Sequence, residues 1–294
     1  MIPVDLAGKV ALVTGVGDNE SFAWFIAKYL QAAGARIVLA CHPRMTNIVE
    51  NILVREQDAP SRVLPYDRGT LKVEKVYPCD VSFDTMADVD EKTRNDRRYA
   101  RFETDYSISG MITAVGKDFG AIDILIHSIA FSPEIKNLTI NTSRSAYLTA
   151  LSISSYSLTS LLRHAQPLME NRPGGASAVA LTYIAGERVV PHYGGGMAAA
   201  KAALQMDAKC LAANLGPKGI RVNLISAGPY ASRAAAAIGD IQKMIDYAAS
   251  RSPLQRPIRP EEVAEAALFL CSPLASAITG QTLYVDAGYH IMGV

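Results

Sequence analysis

The sequence predicts an α/β fold: a doubly wound, mostly parallel sheet built as a single domain spanning residues 1–294. Short β-branched runs alternate with longer helical stretches along the chain. Most of these runs are apolar throughout rather than at every second position, which is typical of strands buried on both faces of a parallel sheet. A composition of 49% hydrophobic and 19% charged residues supplies enough apolar mass for one large core.

Predicted strands and helices follow each other in alternation, which implies right-handed crossover connections. The strands are predicted at Lys9–Thr14, Arg36–Cys41, Lys75–Cys79, Ile122–His127, Ala178–Tyr183, Ile220–Ser226 and Gln281–Val285. The helices are predicted at Ser21–Ala33, Ser107–Phe119, Ser143–Met169, Ala198–Leu215 and Pro260–Leu270. Two long stretches, residues 43–73 and 82–105, break the alternation and are predicted to be excursions from the sheet.

The composition and the cysteine spacing exclude several classes of protein. A formal net charge of +1 gives no indication of a nucleic acid or an anionic membrane surface as a partner. No apolar run approaches the roughly 18 residues of a membrane-spanning helix. The cysteines, which are Cys41, Cys79, Cys210 and Cys271, fit neither a zinc site nor a disulfide framework, so we expect free thiols and no metal.

A glycine-rich turn follows the first predicted strand. It consists of Thr14-Gly15-Val16-Gly17-Asp18, and Ser21 opens the next helix. Gly15 suits a tight turn, after which the backbone N–H groups of the helix start can face the pyrophosphate of a dinucleotide. The spacing departs from the Rossmann-type Gly-x-Gly-x-x-Gly pattern, so this turn alone is a weak indication of a nucleotide site.

Two further strand ends favour the same interpretation, because ligands of doubly wound sheets lie beyond the carboxyl ends of the strands. Asp80 follows the third strand, where its carboxylate can accept a hydrogen bond from an adenine amino group; a helix N-cap is the alternative role. The small residues of His127-Ser128-Ile129-Ala130 end the fourth strand and allow a cofactor to approach closely. Together the three strand ends predict a dinucleotide site.

The end of the second strand leaves the choice between NADH and NADPH open. It consists of Ala40-Cys41-His42-Pro43-Arg44, without an acidic residue to bind a ribose 2′-hydroxyl. His42 can stack on adenine. Arg44 can either meet a 2′-phosphate or remain solvated.

Tyrosine and lysine residues after the fifth predicted strand form the candidate catalytic group. Tyr183 ends that strand, and Tyr193 is followed by three glycines and then by Lys201. A phenol can donate to an oxygen that gains negative charge, while a nearby ammonium binds ribose hydroxyls and favours that charge. Eight positions on an ideal helix rotate roughly 80° past two turns, so the two side chains converge only if the helix begins within the glycines.

The spacing Tyr183…Tyr193…Lys201, with Gly194-Gly195-Gly196-Met197 between the last two, resembles the enoyl-acyl carrier protein reductase branch of the short-chain dehydrogenase/reductase superfamily, in its longer plastid and chlamydial form. Ordinary superfamily members carry Tyr-x-x-x-Lys, whereas position 197 here is methionine. The match covers nearly the whole chain. It includes Ser154-Ser155-Tyr156-Ser157, Ser226-Ala227-Gly228-Pro229, Ile278-Thr279-Gly280 and Tyr284-Val285-Asp286-Ala287-Gly288-Tyr289.

The resemblance implies hydride transfer from NADH to the β-carbon of a trans-2-enoyl thioester of acyl carrier protein, in fatty acid synthesis. Tyr193 would stabilise the enolate, Lys201 would anchor the nicotinamide ribose, and Tyr183 would line the acyl pocket. The implied cofactor-binding residues are Gly15, Ser21, Phe22, His42, Asp80, Val81, Ser128, Ile129, Lys201, Tyr230 and Ser232. The implied substrate-binding residues are Phe131, Ser132, Tyr183 and Tyr193, with residues 230–250 as a mobile substrate segment. The family also implies a homotetramer, in the cytoplasm of a bacterium or the plastid stroma of a eukaryote.

Two other functions remain open from the sequence. The tyrosine–lysine pair alone also suits a carbonyl reductase that acts on a ketone or an aldehyde. A cofactor-binding relative without catalysis is motivated by three departures from the family pattern, at Phe25, His192 and Tyr230. A phenyl ring at position 25 would crowd the first helix against the sheet or shift it.

Basic residues near the substrate segment suggest where an acidic carrier protein would dock. These residues, here called the basic rim, are Lys243, Arg251, Arg256 and Arg259. A solvated surface without a partner is the alternative, because exposed charges are common and contribute little by themselves.

Overall fold

The computed structural model describes residues 4–191, 193–236 and 239–293, and its strands form one parallel sheet in the order β3-β2-β1-β4-β5-β6-β7. The strands are β1 (Val10–Thr14), β2 (Arg36–Cys41), β3 (Val73–Pro78), β4 (Ile124–His127), β5 (Ala176–Thr182), β6 (Ile220–Ala227) and β7 (Thr282–Val285). Every pairing between neighbours is parallel. The strand order reverses between β1 and β4, which makes their carboxyl ends the switch point where ligands of such sheets bind. The predicted fold class is therefore confirmed.

Twelve α-helices are present in the described part of the chain. They are α1 (Phe22–Ala32), α2 (Thr46–Val54), α3 (Ala59–Arg62), α4 (Glu91–Arg94), α5 (Arg97–Ala100), α6 (Ile108–Phe119), α7 (Arg144–Leu151), α8 (Ser157–Met169), α9 (Met197–Leu215), α10 (Arg233–Ala236), α11 (Ile241–Arg251) and α12 (Pro260–Cys271). The excursion at residues 43–73 contains α2 and α3, and the excursion at 82–105 contains α4 and α5.

The sheet is covered on both faces, as the apolar strands predicted. Ala11 and Val13 of β1 belong to one buried cluster, whereas Val10 and Leu12 belong to another. Since successive side chains of a strand point to opposite faces, the two clusters lie on opposite sides of the sheet. Helices α1 and α12 contribute to the first cluster, and α6, α8 and α9 contribute to the second.

The long helix predicted over Ser143–Met169 is not continuous, which corrects that expectation. Helix α7 ends at Leu151, a π-helical turn spans Ser152–Tyr156, and α8 follows. Serine hydroxyls that bond backbone groups compete with the regular helical ladder. Here Ser157 donates to the carbonyl of Ile153 at 2.6 Å, and π-turns of this kind commonly occur at functional sites.

Candidate active site

The glycine-rich turn after β1 touches the chain that follows β4. Gly15 has a φ of +80°, and a Cβ there would lie 2.1 Å from the carbonyl oxygen of Ser128. Glycine is required on both counts, because the positive φ strains other residues and the contact leaves no room for a side chain. The structure thus brings together two of the predicted strand ends, with Ile129 packed at the edge of the second core cluster.

Helix α1 begins directly behind this turn. Its N-cap is Ser21, whose hydroxyl accepts a hydrogen bond from the amide of Trp24 at 3.4 Å and donates to the carbonyl of Asp18 at 2.8 Å. Ser21 therefore acts first as a cap, while the helix start keeps free N–H groups and the positive end of its dipole. That arrangement fits an anionic pyrophosphate.

Asp80, at the end of β3, lies in a small polar cluster. Its Oδ2 accepts from the hydroxyl of Tyr99 at 2.6 Å and lies 3.4 Å from His42 Nε2, and its Oδ1 accepts from the amide of Ser82 at 3.0 Å. Burial alone would raise the pKa of Asp80, but the hydrogen bonds from His42 and Tyr99 outweigh it and hold the pKa well below its usual range. The carboxylate is thus ionised at neutral pH, with Val81 beside it, half-buried.

Tyr99 is a member of this cluster that sequence reasoning missed. It belongs to α5, inside the charged excursion at residues 82–105, and only 3% of it is exposed. Its ring meets that of His42 edge to face at 5.8 Å. Nothing in the local sequence distinguishes this tyrosine from its neighbours. Its partner Asp80 lies 19 residues earlier in the chain, so only the fold reveals the contact.

Tyr183 and Tyr193 meet beyond the carboxyl end of β5. Their ring centroids lie 5.1 Å apart, at an interplanar angle of 62°. Burial raises the pKa of both phenols, and Tyr193 also raises that of Tyr183. Both side chains are consequently neutral hydrogen-bond donors over the physiological pH range.

Lys201 is buried, with 4% of the residue exposed, and its ammonium donates to the carbonyl of Leu181 at 2.8 Å. Burial lowers the pKa of Lys201 to about 8. Leu181 O is its one hydrogen-bond acceptor in the described part of the chain, and an ammonium carries three donors. The remaining donors suit the hydroxyls of a ribose, which fits the cofactor role that the resemblance implies.

The three glycines before α9 explain how Tyr193 reaches this site. The helix begins at Met197, immediately after Gly196, whose φ is +81°. A Cβ at Gly194 would lie 1.8 Å from the carbonyl oxygen of Asn137, so the glycine turn packs directly against the chain that follows β4. Helix α9 thus begins directly after the glycines, with Gly196 as its N-cap, so Tyr193 precedes the first turn.

The two proposed substrate-binding residues after β4 differ in their surroundings. Phe131 is 52% exposed, whereas Ser132 is buried and donates its hydroxyl to the carbonyl of Gly195 at 2.7 Å. The amide of Phe131 donates to Ser154 Oγ at 2.9 Å, within the π-turn. Ser132 and Ser154 thus position the glycine turn and the strand end.

His127 is a buried polar residue that the sequence argument left without a role. Its Nε2 lies 2.7 Å from Ser157 Oγ, and its Nδ1 has no partner among the described residues. Burial, followed by the charge of Lys201, lowers the pKa of His127 to about 3. The imidazole is therefore neutral beneath the site.

The substrate segment begins against α1. The ring of Tyr230 lies 5.2 Å from that of Phe22, which places these two proposed cofactor residues together. The Ser232 hydroxyl accepts from the amide of Ala235 at 3.2 Å, so it serves α10 first. Residues 237 and 238, within this segment, lie outside the described residues.

The departures at positions 25 and 192 have different outcomes. Phe25 is half-buried at the edge of the first core cluster, with the Lys28 ammonium 5.7 Å from its ring centroid. Helix α1 runs without a break through this position. His192 lies outside the described residues.

No group of three His, Cys, Asp or Glu side chains within the described ranges is arranged to hold a metal ion. No helix among them combines the length and the apolar character needed to cross a membrane.

The strand order and the glycine-rich strand end at the switch point together define a doubly wound α/β protein of the dinucleotide-binding class. The sequence profile described as "Enoyl-(Acyl carrier protein) reductase" matches residues 84–290. The NADH-dependent chloroplastic enoyl-[acyl-carrier-protein] reductase of Arabidopsis thaliana is 50% identical over 294 residues, which is 100% of this chain and 74% of that protein. The corresponding NADH enzyme FabI of a Synechocystis strain is 40% identical, covering 99% of this chain and 100% of that protein.

Solved structures agree with this comparison. The enoyl-acyl-carrier-protein reductase of Plasmodium berghei with triclosan superposes with a TM-score of 0.91 at 40% identity, covering 97% of this chain and 98% of that one. The enzyme of Anaplasma phagocytophilum in complex with NAD gives 0.79 at 34% identity, over 98% and 96% of the two chains. The chain belongs to the enoyl-acyl carrier protein reductase family.

Proposed function

We propose that this chain reduces the trans-2 double bond of enoyl thioesters carried by acyl carrier protein, in fatty acid synthesis, and that Tyr193, Tyr183 and Lys201 carry the chemistry. Lys201 supports the proposal most directly, since a buried ammonium joins α9 to the end of β5 where the two tyrosine rings meet. The oxidoreductases named among the relatives act on such thioesters with NADH.

Bound NADH would supply the hydride to the β-carbon, and a proton taken up from solvent at the α-carbon would complete the reduction. Between these two events the protein controls the negative charge on the substrate oxygen. The Tyr193 phenol, kept neutral by burial, donates a hydrogen bond to the thioester oxygen as that oxygen becomes an enolate. With a pKa of about 8, Lys201 is protonated in a ratio of about ten to one at pH 7. Its charge stabilises the enolate electrostatically, and its free donors hold the ribose.

The cofactor site is proposed to extend from this centre along the carboxyl edge of the sheet. Gly15 and Ser128 leave the backbone accessible at the switch point, and the start of α1 faces the phosphates. The Asp80 carboxylate has lone pairs left for an adenine amino group beyond its bonds to Tyr99 and Ser82. We infer NADH as the donor; Arg44 is exposed beside this end and keeps NADPH as the alternative.

The function is tested by assaying the reduction of a crotonyl thioester, which is monitored through the loss of NADH absorbance. NADPH is run beside NADH, and a panel of ketones and aldehydes tests the carbonyl reductase. Turnover of the enoyl thioester with none of the carbonyl panel supports the proposal. Turnover of the carbonyl compounds alone would favour the second function, and NADH binding without any turnover would indicate a non-catalytic relative.

The basic rim is weaker as a docking surface than the sequence suggested. Lys243 pairs with Asp240 at 2.7 Å, and Arg256 and Arg259 both pair with Glu262, at 2.6 and 3.6 Å. Two carboxylates thus offset part of the charge of the four basic residues.

Arg251 is the member of the rim that we propose for contact with an acidic carrier. It lies over the ring of Tyr247, 5.7 Å from its centroid, on α11. Arg251→Glu should raise KM for an enoyl thioester of acyl carrier protein. It should leave KM for the corresponding coenzyme A thioester unchanged, since that substrate lacks the acidic carrier. Equal effects on both substrates would remove the docking role.

A homotetramer is proposed from two sets of exposed apolar side chains. Leu148 of α7 and Met206 of α9 are 56% and 60% exposed, and Leu274 and Ile291 near the C-terminus are 54% and 64% exposed. If each set packs against the same set of a second copy, the two interfaces generate a tetramer with dihedral symmetry. Light scattering after size-exclusion chromatography measures the mass, and a monomer at micromolar concentration would contradict the proposal. We place the protein in a plastid stroma or a bacterial cytoplasm, since the plant relatives are named chloroplastic.

A further inference from the structure

An ion pair joins the glycine-rich turn to the substrate segment. Arg233 Nε, at the start of α10, lies 3.2 Å from Asp18 Oδ2, and the two side chains are 57% and 4% exposed. The other carboxylate oxygen of Asp18 accepts from the amide of Glu20 at 2.9 Å. Within the described residues, Arg233 is thus the cation that faces this buried carboxylate.

A second contact links the same two segments. Phe22, one residue after the cap of α1, packs its ring 5.2 Å from that of Tyr230. The segment from 230 to 233 is therefore held to residues 18–22 at both of its ends, by an aromatic contact and by an ion pair. Ring packing survives changes of charge, so the contribution of the ion pair can be measured separately.

The space between residues 18–22 and residues 230–233 is rich in negative charge. Burial raises the pKa of Tyr230, and the carboxylates of Glu20, Glu261 and Asp18 raise it further, so all three lie near that hydroxyl. A cofactor pyrophosphate that binds at the start of α1 has to approach these carboxylates. A buried carboxylate without its cation would repel the pyrophosphate, because partly buried charges are poorly screened.

We propose that Arg233 is a positioning residue with two effects: it neutralises Asp18 beside the cofactor phosphates, and it holds the start of the substrate segment in place before substrate arrives. The inference rests on the proposed binding of NADH. The ion pair attaches the substrate segment to the glycine-rich turn, whereas the sequence predicted only that this segment is mobile.

Three variants separate the two effects: Arg233→Gln, Asp18→Asn and the double variant. The dissociation constant of NADH is measured by fluorescence titration, and amide hydrogen exchange of residues 239–251 is measured without cofactor. Arg36→Gln is the matched control, since Arg36 Nε also lies 3.2 Å from a carboxylate, that of Glu74, but far from the site and with both partners exposed.

Arg233→Gln should weaken NADH binding about fivefold, because one charge next to the phosphates is left without its partner. Asp18→Asn should leave NADH binding unchanged or tighter, because Arg233 then stays as an unpaired cation. The double variant should return to within about twofold of the wild type, since no unpaired charge remains. Exchange in residues 239–251 should accelerate about threefold in each single variant and no further in the double variant. The control should change neither quantity.

Two results would overturn the proposal. If the double variant binds NADH as poorly as Arg233→Gln, neutralisation of Asp18 is not what Arg233 does. If exchange is unchanged in both single variants, the pair does not hold the segment. Failure of NADH binding in the wild-type protein would count instead against the proposed function, and the exchange experiment, made without cofactor, would still decide the attachment.

Discussion

The Lys201 ammonium and the carbonyl oxygen of Leu181 lie 2.8 Å apart, inside the protein. This hydrogen bond ties the first turns of α9 to β5 two residues before Tyr183, whose ring packs on Tyr193. A lysine about one turn into the helix and a tyrosine that precedes the helix are thereby held at the same strand end.

Removal of the Tyr193 hydroxyl should abolish most of the turnover. Tyr193→Phe keeps the ring packing but loses the donor to the enolate, so kcat should fall by about 10² to 10⁴, with NADH affinity unchanged. Tyr183→Phe is the matched variant, and its kcat should fall by less than about tenfold, the value of one neutral hydrogen bond. Equal losses in the two variants would mean that the roles of the two phenols are not distinct.

The affinity for NADH should depend on pH through Lys201. Its pKa is lowered to about 8 by burial, so the ammonium is lost as the pH rises through that value. The dissociation constant should then increase about fivefold between pH 7 and pH 9.5, the difference between a charged and a neutral donor. Fluorescence titration across this range measures it. Lys201→Gln should bind NADH weakly and with a flat pH profile; a sloping profile in that variant would assign the titration to another group.

The glycine turn should not tolerate a methyl group at its first position. A Cβ at Gly194 would lie 1.8 Å from Asn137 O, whereas a Cβ at Gly216 would meet nothing within 4 Å. Gly194→Ala should therefore displace Tyr193 and lower kcat by at least about 100-fold, as misplacement of a reacting group does. Gly216→Ala should keep full activity, and comparable activity in the two variants would show that the turn can relax.

His127 should make the protein less stable in mild acid. Its pKa is lowered to about 3 in the folded state, so between that value and the ordinary pKa the unfolded chain binds more protons. Stability therefore falls as the pH falls through about 6.5. Between pH 7.5 and 5.5 the contribution to the free energy of unfolding amounts to about 1.4 kcal/mol.

Urea unfolding at these two pH values measures the effect in the wild type and in His127→Asn, which has no titrating group there. The wild type should lose about 1.4 kcal/mol more than the variant. Ser157→Ala provides the second comparison. It removes the partner of His127 Nε2 and should cost about 1–3 kcal/mol at both pH values, as expected for a buried polar group left unpaired. An identical pH dependence in wild type and His127→Asn would show that folding does not lower the pKa of His127.

The local hydrophobic pattern was sufficient to predict the strands, because strands buried on both faces of a sheet must be largely apolar. Each predicted strand is present, and the helix caps at Ser21 and Ser107 stand where the sequence placed the helix starts. The discontinuity at Ser152–Tyr156 was not predicted. The turn contains the bond from Ser157 to the carbonyl of Ile153, and Ser154 within it accepts from the amide of Phe131, 23 residues earlier, a contact that no local pattern records. The single-domain organisation and the roles of the individual site residues stay predictions.

The sequence by itself determined the fold class, the strand ends that meet at the switch point, and the tyrosine–lysine group with its glycine spacer. Each of these features depends on residues that are close together in the chain. Hydrophobic periodicity and residue spacing are therefore sufficient to predict it. Only the tertiary structure decided that Tyr99 reaches Asp80, that Ser132 supports the glycine turn, that three members of the basic rim are already paired, and that Arg233 faces Asp18. The contacts of Tyr99, Ser132 and Arg233 join residues that are distant in the chain and meet only in the folded protein, and their energy comes from burial and charge. The rim pairs lie within six residues of each other, but which side chains pair depends on conformations that no local pattern of residue types contains.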